Sequence, residues 1–510
     1  MNPRNFYITT PIYYVNDRPH LGTAYCTITA DVLARYHRLF GEETFYLTGT
    51  DEHGQKAQEA AAKRGLTPQA HCDDMVLNFQ KAWKELNISN DVFYRTTNPS
   101  HIKVVQTCLQ KLWDKGEIYE GSYEGWYSVS EEIFYTEKDL VDGKSPTGRE
   151  VIRIEEKNYF FKMSKYQQQL ISHIEKNPDF IQPEFRKNEV LGFLRQPLGD
   201  LCISRPKSRL SWGVELPFAK DYVTYVWFDA LLNYASAVGL EQPARQNEYK
   251  KWWCESNVTH LVGKDILTTH AVYWPTMLMA LEVPLPKTIF ATGWILNRDA
   301  QKMSKSIGDV VDPVELKNLI GLDQLRYFLV RDVHLGNDAP FSLELAKGRI
   351  NSELANNLGN MASRTFNLIE KFYAGAVPAF QTDDEASTHL KKLALELGPL
   401  VKKEIEDFRP SYALEQIVLV LTAANKYLEE KAPWKMAKED LNSAGHVLAT
   451  TLEVLRICAT LLTPVMPNKM GELLIRLGIE KTNWAQSSLW PGVLPGTSVR
   501  KGDPLFPRME

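Results

Sequence analysis

The chain has 510 residues, of which 44% are hydrophobic and 24% charged, with a formal net charge of -4. That length bounds it at roughly three globular domains, and the slightly acidic balance excludes a uniformly basic nucleic-acid binder, so any RNA contact must be local. The six cysteines are scattered and contain no Cys-x-x-Cys pair, which fits reduced thiols in a cytoplasm; the start lacks a signal or transit pattern, and no apolar run reads as a membrane span.

In chain order, residues 6–9 read as a buried strand, and Leu21, Tyr25, Ile28, Val32, Tyr36 and Leu39 then follow helical spacing into a second strand at 44–48. Strand, helix and strand within about fifty residues make a βαβ unit, so ligands are expected beyond the carboxyl ends of a parallel sheet, with His20 and Asp51 at one edge. From 116 to 217 short strand-like pieces and turn residues predict an insertion into this fold. Residues 222–227, 260–263 and 288–291 then read as the sheet's second half. Beyond 352 the pattern is helical, with apolar repeats through 390–400, 412–428 and 448–462 and a Gly/Pro-rich tail at 492–510.

Two short segments carry chemistry. Pro19-His20-Leu21-Gly22 sits at a strand-to-helix junction, where unpaired N–H groups and the positive helix end attract phosphate, His20 adds a donor, and Gly22 lets a flat base or phosphate approach the backbone. The bland alternative is an ordinary capped helix. Lys302-Met303-Ser304-Lys305-Ser306 places two ammonium groups three positions apart with two hydroxyls, a composition suited to a loop closing on developing phosphate charge. Its bland alternative is a solvated surface loop. Taken together they point to one ATP site.

The pair resembles the two signature motifs of class I aminoacyl-tRNA synthetases, and the chain between them is similar to methionyl-tRNA synthetases in particular. The supporting stretches are Ile8-Thr9-Thr10-Pro11-Ile12-Tyr13-Tyr14-Val15-Asn16, Gly49-Thr50-Asp51-Glu52-His53-Gly54, Tyr225-Val226-Trp227-Phe228-Asp229-Ala230-Leu231 and Gly263-Lys264-Asp265-Ile266. The resemblance implies an α/β Rossmann-like catalytic domain (1–116 and 222–300) split by a connective module (117–221), then a loop and stem-contact region (301–351) and an all-α anticodon-binding domain (352–510). It implies activation of L-methionine by ATP, with magnesium on the phosphates, to methionyl-adenylate and pyrophosphate. Transfer to the 3′ end of tRNA(Met), initiator and elongator, follows.

Carried over by position, His20, Lys302 and Lys305 are the expected catalytic residues. Gly22, Thr23, Gly263, Asp265, Gly293 and Ser304 join His20 and Lys305 around ATP. Ile12, Tyr14, Asp51, Trp227, Ala230, Tyr234, Ile266 and His270 surround methionine, Asp51 holding its ammonium. Asn360, Arg364 and Trp434 are the anticodon candidates, since loop bases are read by edge hydrogen bonds and by stacking on aromatic or guanidinium planes. Nearby Lys426, Lys431, Lys435 and Lys438 fit a solvated helix face as well as phosphate contacts.

The sequence departs from the family pattern at Thr23, where a second histidine is usual. Residues 116–201 contain no cysteine, so a structural zinc is not expected there. Trp126, Tyr127, Phe134, Tyr135, Tyr159, Phe160 and Phe161 are expected to supply that module's core instead. A monomer is expected. A silent paralogue that only binds tRNA, and a small-molecule adenylyltransferase, are the alternatives; intact His20, Lys302 and Lys305 oppose the first, and the long helical region opposes the second.

Overall fold

A computed structural model describes residues 5–128, 133–135, 137–297, 311–480 and 482–510; the expected Lys302, Ser304 and Lys305 lie outside the described residues. Strand β1 (Asn5–Tyr14) runs into helix α1 (Leu21–Leu39), and β2 (Thr44–Asp51) returns parallel to β1. Helices α2 (Gln55–Lys63) and α3 (Pro68–Glu85) lead to β3 (Val92–Arg95), and α4 (Pro99–Asp114) closes the first half. After the insertion, β12 (Ser256–Gly263) and β13 (Thr288–Thr292) complete the sheet.

The sheet is six-stranded and parallel, in the order β3-β2-β1-β12-β13-β7, where β7 is the two-residue strand Ile181–Gln182. Chain direction along the sheet reverses between β1 and β12, and a crevice opens at such a switch beyond the carboxyl ends. His20, Asp51, Gly263 and Gly293 each follow or end one of these strands. α1 is buried on nearly all sides, because one face packs on the sheet and the other meets the helical region, where the Tyr36 hydroxyl donates to Leu461 O at 2.9 Å.

The insertion is an antiparallel sheet, β5-β4-β6-β8, built from β4 (Ile118–Ser128), β5 (Ile133–Tyr135), β6 (Ile152–Phe161) and β8 (Leu201–Cys202). Tyr127 and Phe161 are buried as expected, whereas Trp126, Tyr135, Tyr159 and Phe160 are half-buried; the Phe134 side chain is outside the description. Two features differ from the sequence reading. The insertion also carries helices α5 (Gln167–Lys176) and α6 (Glu184–Leu194), and its strand β7 (Ile181–Gln182) joins the catalytic sheet beside β13. Residues 222–227 are not a strand of that sheet: β11 (Ala219–Thr224) pairs antiparallel with β9 (Ser204–Pro206) and with β10 (Glu215–Leu216), and helix α7 (Val226–Leu231) follows at once.

The helical region runs from Leu343–Arg349 through a π-helical stretch, Ile350–Gly359, into Asn360–Tyr373, followed by Glu385–Glu406, Pro410–Lys431, Leu441–Leu462 and Pro467–Arg476. Leu441–Leu462 has the length and composition of a membrane span, contrary to the sequence reading, yet its apolar window is wholly buried and forms the centre of the bundle. Within it the Glu453–Arg456 pair, both about 1% exposed, receives the Gly492 and Val493 N–H groups and donates to Gln486 O and Leu489 O. The tail is thereby tied to the bundle.

Candidate active site

His20 is the N-cap of α1, with extended backbone. Its N–H donates to Thr23 Oγ1 at 2.9 Å, and the Thr23 hydroxyl donates back to His20 O at 2.6 Å. Thr23 therefore caps the helix, a role its sequence position alone did not reveal. The Gly22 N–H donates to His20 Nδ1 at 3.1 Å. Nδ1 must be the bare nitrogen for that bond, so by hydrogen-bond geometry the neutral ring carries its proton on Nε2. A Cβ on Gly22 would lie 3.0 Å from His20 Cε1; this glycine makes room for the histidine ring.

A cavity of about 500 Å³ opens at the sheet switch and is lined by His20, Gly22 and Thr23, by Gly263, Asp265 and Gly293, and by Ile12, Tyr14, Asp51, Trp227, Ala230, Tyr234, Ile266 and His270. Every described residue of both expected small-molecule sets thus converges on one space. Residues flanking the undescribed segment reach it too: Ile295 and Val311 line the cavity, and the Leu21 N–H donates to Val311 O at 3.1 Å. Gly293 has a second role, because a Cβ there would stand 2.0 Å from Asn337 O, where two backbones cross. Beside it Lys264 Nζ lies 3.9 Å from the Trp294 ring centroid and 2.6 Å from Asp338 Oδ2.

At the amino-acid end the walls are aromatic. Tyr14 and Trp227 meet edge to face with centroids 6.3 Å apart, and Trp227 meets His270 at 6.4 Å. The Tyr234 hydroxyl is 2.8 Å from His270 Nε2, and His270 Nδ1 is 2.9 Å from Ile266 O. The carbonyl can only accept, so Nδ1 donates and Nε2 accepts from the tyrosine. Burial pushes the His270 imidazole down to about 4, so the wall is uncharged at neutral pH. His260, behind Tyr234 at 4.4 Å, is driven well below its ordinary range, chiefly by burial and then by His270.

Asp51 ends β2, almost fully buried. Its neighbours are held tightly: both Glu52 oxygens accept from Arg95, at 2.7 and 2.8 Å, with Thr50 and Thr97 hydroxyls adding bonds of 2.6 and 2.7 Å. His53 Nδ1 lies 2.6 Å from Asp229 Oδ2 and His101 Nε2 lies 2.9 Å from Asp229 Oδ1. Burial raises the Asp229 carboxyl, but His53 and His101 outweigh it and hold it at about 2. Glu52, His53 and Asp229 fall inside the stretches that carry the family resemblance, but their sequence positions assign them no role. Their partners Arg95 and His101 lie 43 and 128 positions from Glu52 and Asp229 respectively, and no local pattern exposes such pairs.

The anticodon candidates lie in the helical region. Asn360 and Arg364 are one turn apart on Asn360–Tyr373, and the Arg364 guanidinium sits 5.0 Å from the Trp434 ring centroid while bonding Glu429 at 2.8 Å. Lys426 pairs with Glu430 at 3.7 Å and Lys431 pairs with Asp384, in keeping with a solvated face.

The family profile for "tRNA synthetases class I (M)" matches residues 6–155 and 139–366, and that for the "anticodon binding domain of methionyl tRNA ligase" matches 378–510. A methionine--tRNA ligase of Clostridium acetobutylicum is 46% identical, covering 99% of this chain and 78% of its own length. Among solved structures, Mycobacterium tuberculosis methionyl-tRNA synthetase in complex with methionyl-adenylate superposes with a TM-score of 0.95 at 40% identity, over 99% of this chain and all of that one. Its apo form gives 0.88 at 37% identity, over all of this chain and 99% of that one. With both modules matched in order and a full-length superposition, the chain belongs to the methionyl-tRNA synthetase family of class I.

Proposed function

We propose that the protein is a methionine--tRNA ligase working from the cavity between β1 and β12. The observation that carries this reading is the convergence of the expected ATP and methionine positions on a single space at the sheet switch. A methionine carboxylate oxygen attacks the α-phosphorus of ATP; the bond to the β-phosphate oxygen breaks and pyrophosphate leaves. The terminal ribose hydroxyl of tRNA(Met) then attacks the adenylate's carbonyl carbon and AMP departs.

The substrate supplies the nucleophile, so the protein's work is positioning and charge stabilisation. His20 donates from Nε2 to the phosphates at the positive end of α1. Lys302 and Lys305 neutralise developing charge, with Ser304 adding a donor; this part rests on the motif resemblance. Gly263, Asp265 and Gly293 frame the adenosine. Asp51 takes the ammonium, and Ile12, Tyr14, Trp227, Ala230, Tyr234, Ile266 and His270 enclose the thioether, sulfur against aromatic rings contributing about 0.3–1.5 kcal/mol. Magnesium enters with the ATP phosphates, needing no protein cage of its own. Asn360, Arg364 and Trp434 read the anticodon. The reading includes a monomer in the cytoplasm.

ATP–pyrophosphate exchange measured with each of the twenty amino acids tests it. Exchange peaking on methionine is expected. A peak on leucine, valine or cysteine would overturn the substrate assignment.

A further inference from the structure

The proposed reading of the cavity leaves one buried cluster unexplained, the His53–Asp229–His101 chain behind its amino-acid end. We propose that Asp229 is a specificity-determining positioning residue: its carboxylate, shared between His53 and His101, sets the distance between Asp51 and the wall formed by Trp227 and Tyr234. The proposal rests on that reading of the cavity as the methionine site.

Each Asp229 oxygen is committed to a different part of the fold. Oδ2 meets His53 Nδ1 at 2.6 Å, two residues beyond Asp51, and Oδ1 meets His101 Nε2 on α4 at 2.9 Å. Asp229 and His101 are fully buried and His53 is 5% exposed, so water does not compete for these bonds. Asp229 belongs to α7, which places Trp227 two residues before it and Ala230 one after it on the cavity wall. A six-residue helix has no stability of its own, and α7 has no side-chain N-cap bond. Its axial position and rotation come from packing and from this carboxylate.

His101 extends the clamp. Its Nδ1 is 2.7 Å from Ser236 Oγ, in the short helix Asn233–Ser236 that follows α7 and carries Tyr234, while Asn233 Nδ2 donates to Ala230 O at 2.5 Å. His101 thus registers both the Trp227 and the Tyr234 walls against α4, and His53 ties the same Asp229 carboxylate to the strand that ends in Asp51. The anchor for the ammonium and the wall around the side chain are otherwise on separate segments. Selection against a substrate shorter by one methylene group is worth only roughly 10- to 200-fold in such a pocket, and a shift of about 1 Å in a positioned group is enough to erase a 100-fold effect.

The test is steady-state ATP–pyrophosphate exchange by the full-length enzyme with methionine and with homocysteine, for wild type, Asp229→Asn and His53→Gln. The first variant keeps the shape of the side chain and removes its charge. We expect Asp229→Asn to raise KM for methionine about 10-fold or more, to leave KM for ATP within about 2-fold, and to cut the methionine-over-homocysteine ratio of kcat/KM at least about 5-fold. His53→Gln removes one bond and keeps the His101 arm, so it should shift the same quantities in the same direction by less; it stands in if the first variant does not fold. Lower thermal stability with all three quantities unchanged, or KM for ATP and methionine rising together, overturns the proposal and leaves a structural staple. Wild type inactive with methionine overturns the reading beneath it, and the proposal with it.

Discussion

The proton on His20 Nε2 depends on a neighbour that has no side chain. Gly22 N–H occupies Nδ1 at 3.1 Å, and a methyl group at Gly22 would press on the same ring at 3.0 Å from Cε1. Gly22→Ala is therefore expected to displace the imidazole by a few tenths of an ångström and to lower kcat for adenylate formation by roughly 10- to 100-fold, with KM for methionine unchanged because Asp51 and the aromatic wall lie on other segments. Unaltered kcat in the exchange assay would show that His20 does not act from this position. His20 and Gly22 were legible in the sequence as a motif, and Asp51 through its resemblance. The reason for Gly22 was not, because the contact it avoids is with a ring two residues away whose orientation only the folded cap fixes. Thr23 is similar: the sequence shows a hydroxyl where a second histidine is usual, and only the folded cap shows its bonds to the His20 backbone.

Among the elements, the parallel strands and α1 were plain from their apolar runs and helical spacing, while α7 was not. Residues 222–227 form one apolar stretch in which a strand ending at Thr224 and a helix beginning at Val226 look alike; a single helical turn and a half contains too few positions to show a period of 3.6. β7 was missed for the same reason, being two residues long. The elements are locked by buried ions that sequence separation conceals. Arg326, in helix Leu322–Asp332, bonds Asp31 of α1 at 2.6 Å with both side chains fully buried, and also donates to Val465 O at 2.8 Å and Leu86 O at 3.2 Å. Burial raises the Asp31 carboxyl, but Arg326 and Arg35 more than offset this and hold it below its ordinary range. Asp31 and Asp229 are both more acidic folded than unfolded, so the unfolded chain takes up protons first. The stability they confer is complete above about pH 4 and is lost as pH falls through their folded values. Asp31→Asn leaves Arg326 buried without its counter-ion, and urea denaturation at pH 7 should show a loss of about 3–5 kcal/mol. The variant should also lose less stability than wild type on acidification below about pH 4. A variant as stable as wild type at pH 7 would contradict this role.

Over the whole molecule, the catalytic sheet and the helical region share one continuous core that includes Ile28 and Tyr36 of α1 along with Leu455 and Leu461 of the bundle, so the helix that presents His20 is packed against the region that carries Arg364 and Trp434. The insertion is likewise bound to the sheet through β7 and a second core containing Phe161, Phe228 and Ile289. This arrangement follows from short apolar segments meeting across long sequence distances, which is why the order of modules could be read from the chain but their mutual packing could not. Methionine and ATP are expected to react together in the cavity between β1 and β12. A crystal structure with a non-hydrolysable methionyl-adenylate analogue is the decisive measurement. The ammonium is expected at Asp51, the thioether among Tyr14, Trp227, Tyr234 and His270, and the phosphate at His20 Nε2. An analogue bound elsewhere, or with its side chain outside that aromatic wall, would contradict this placement.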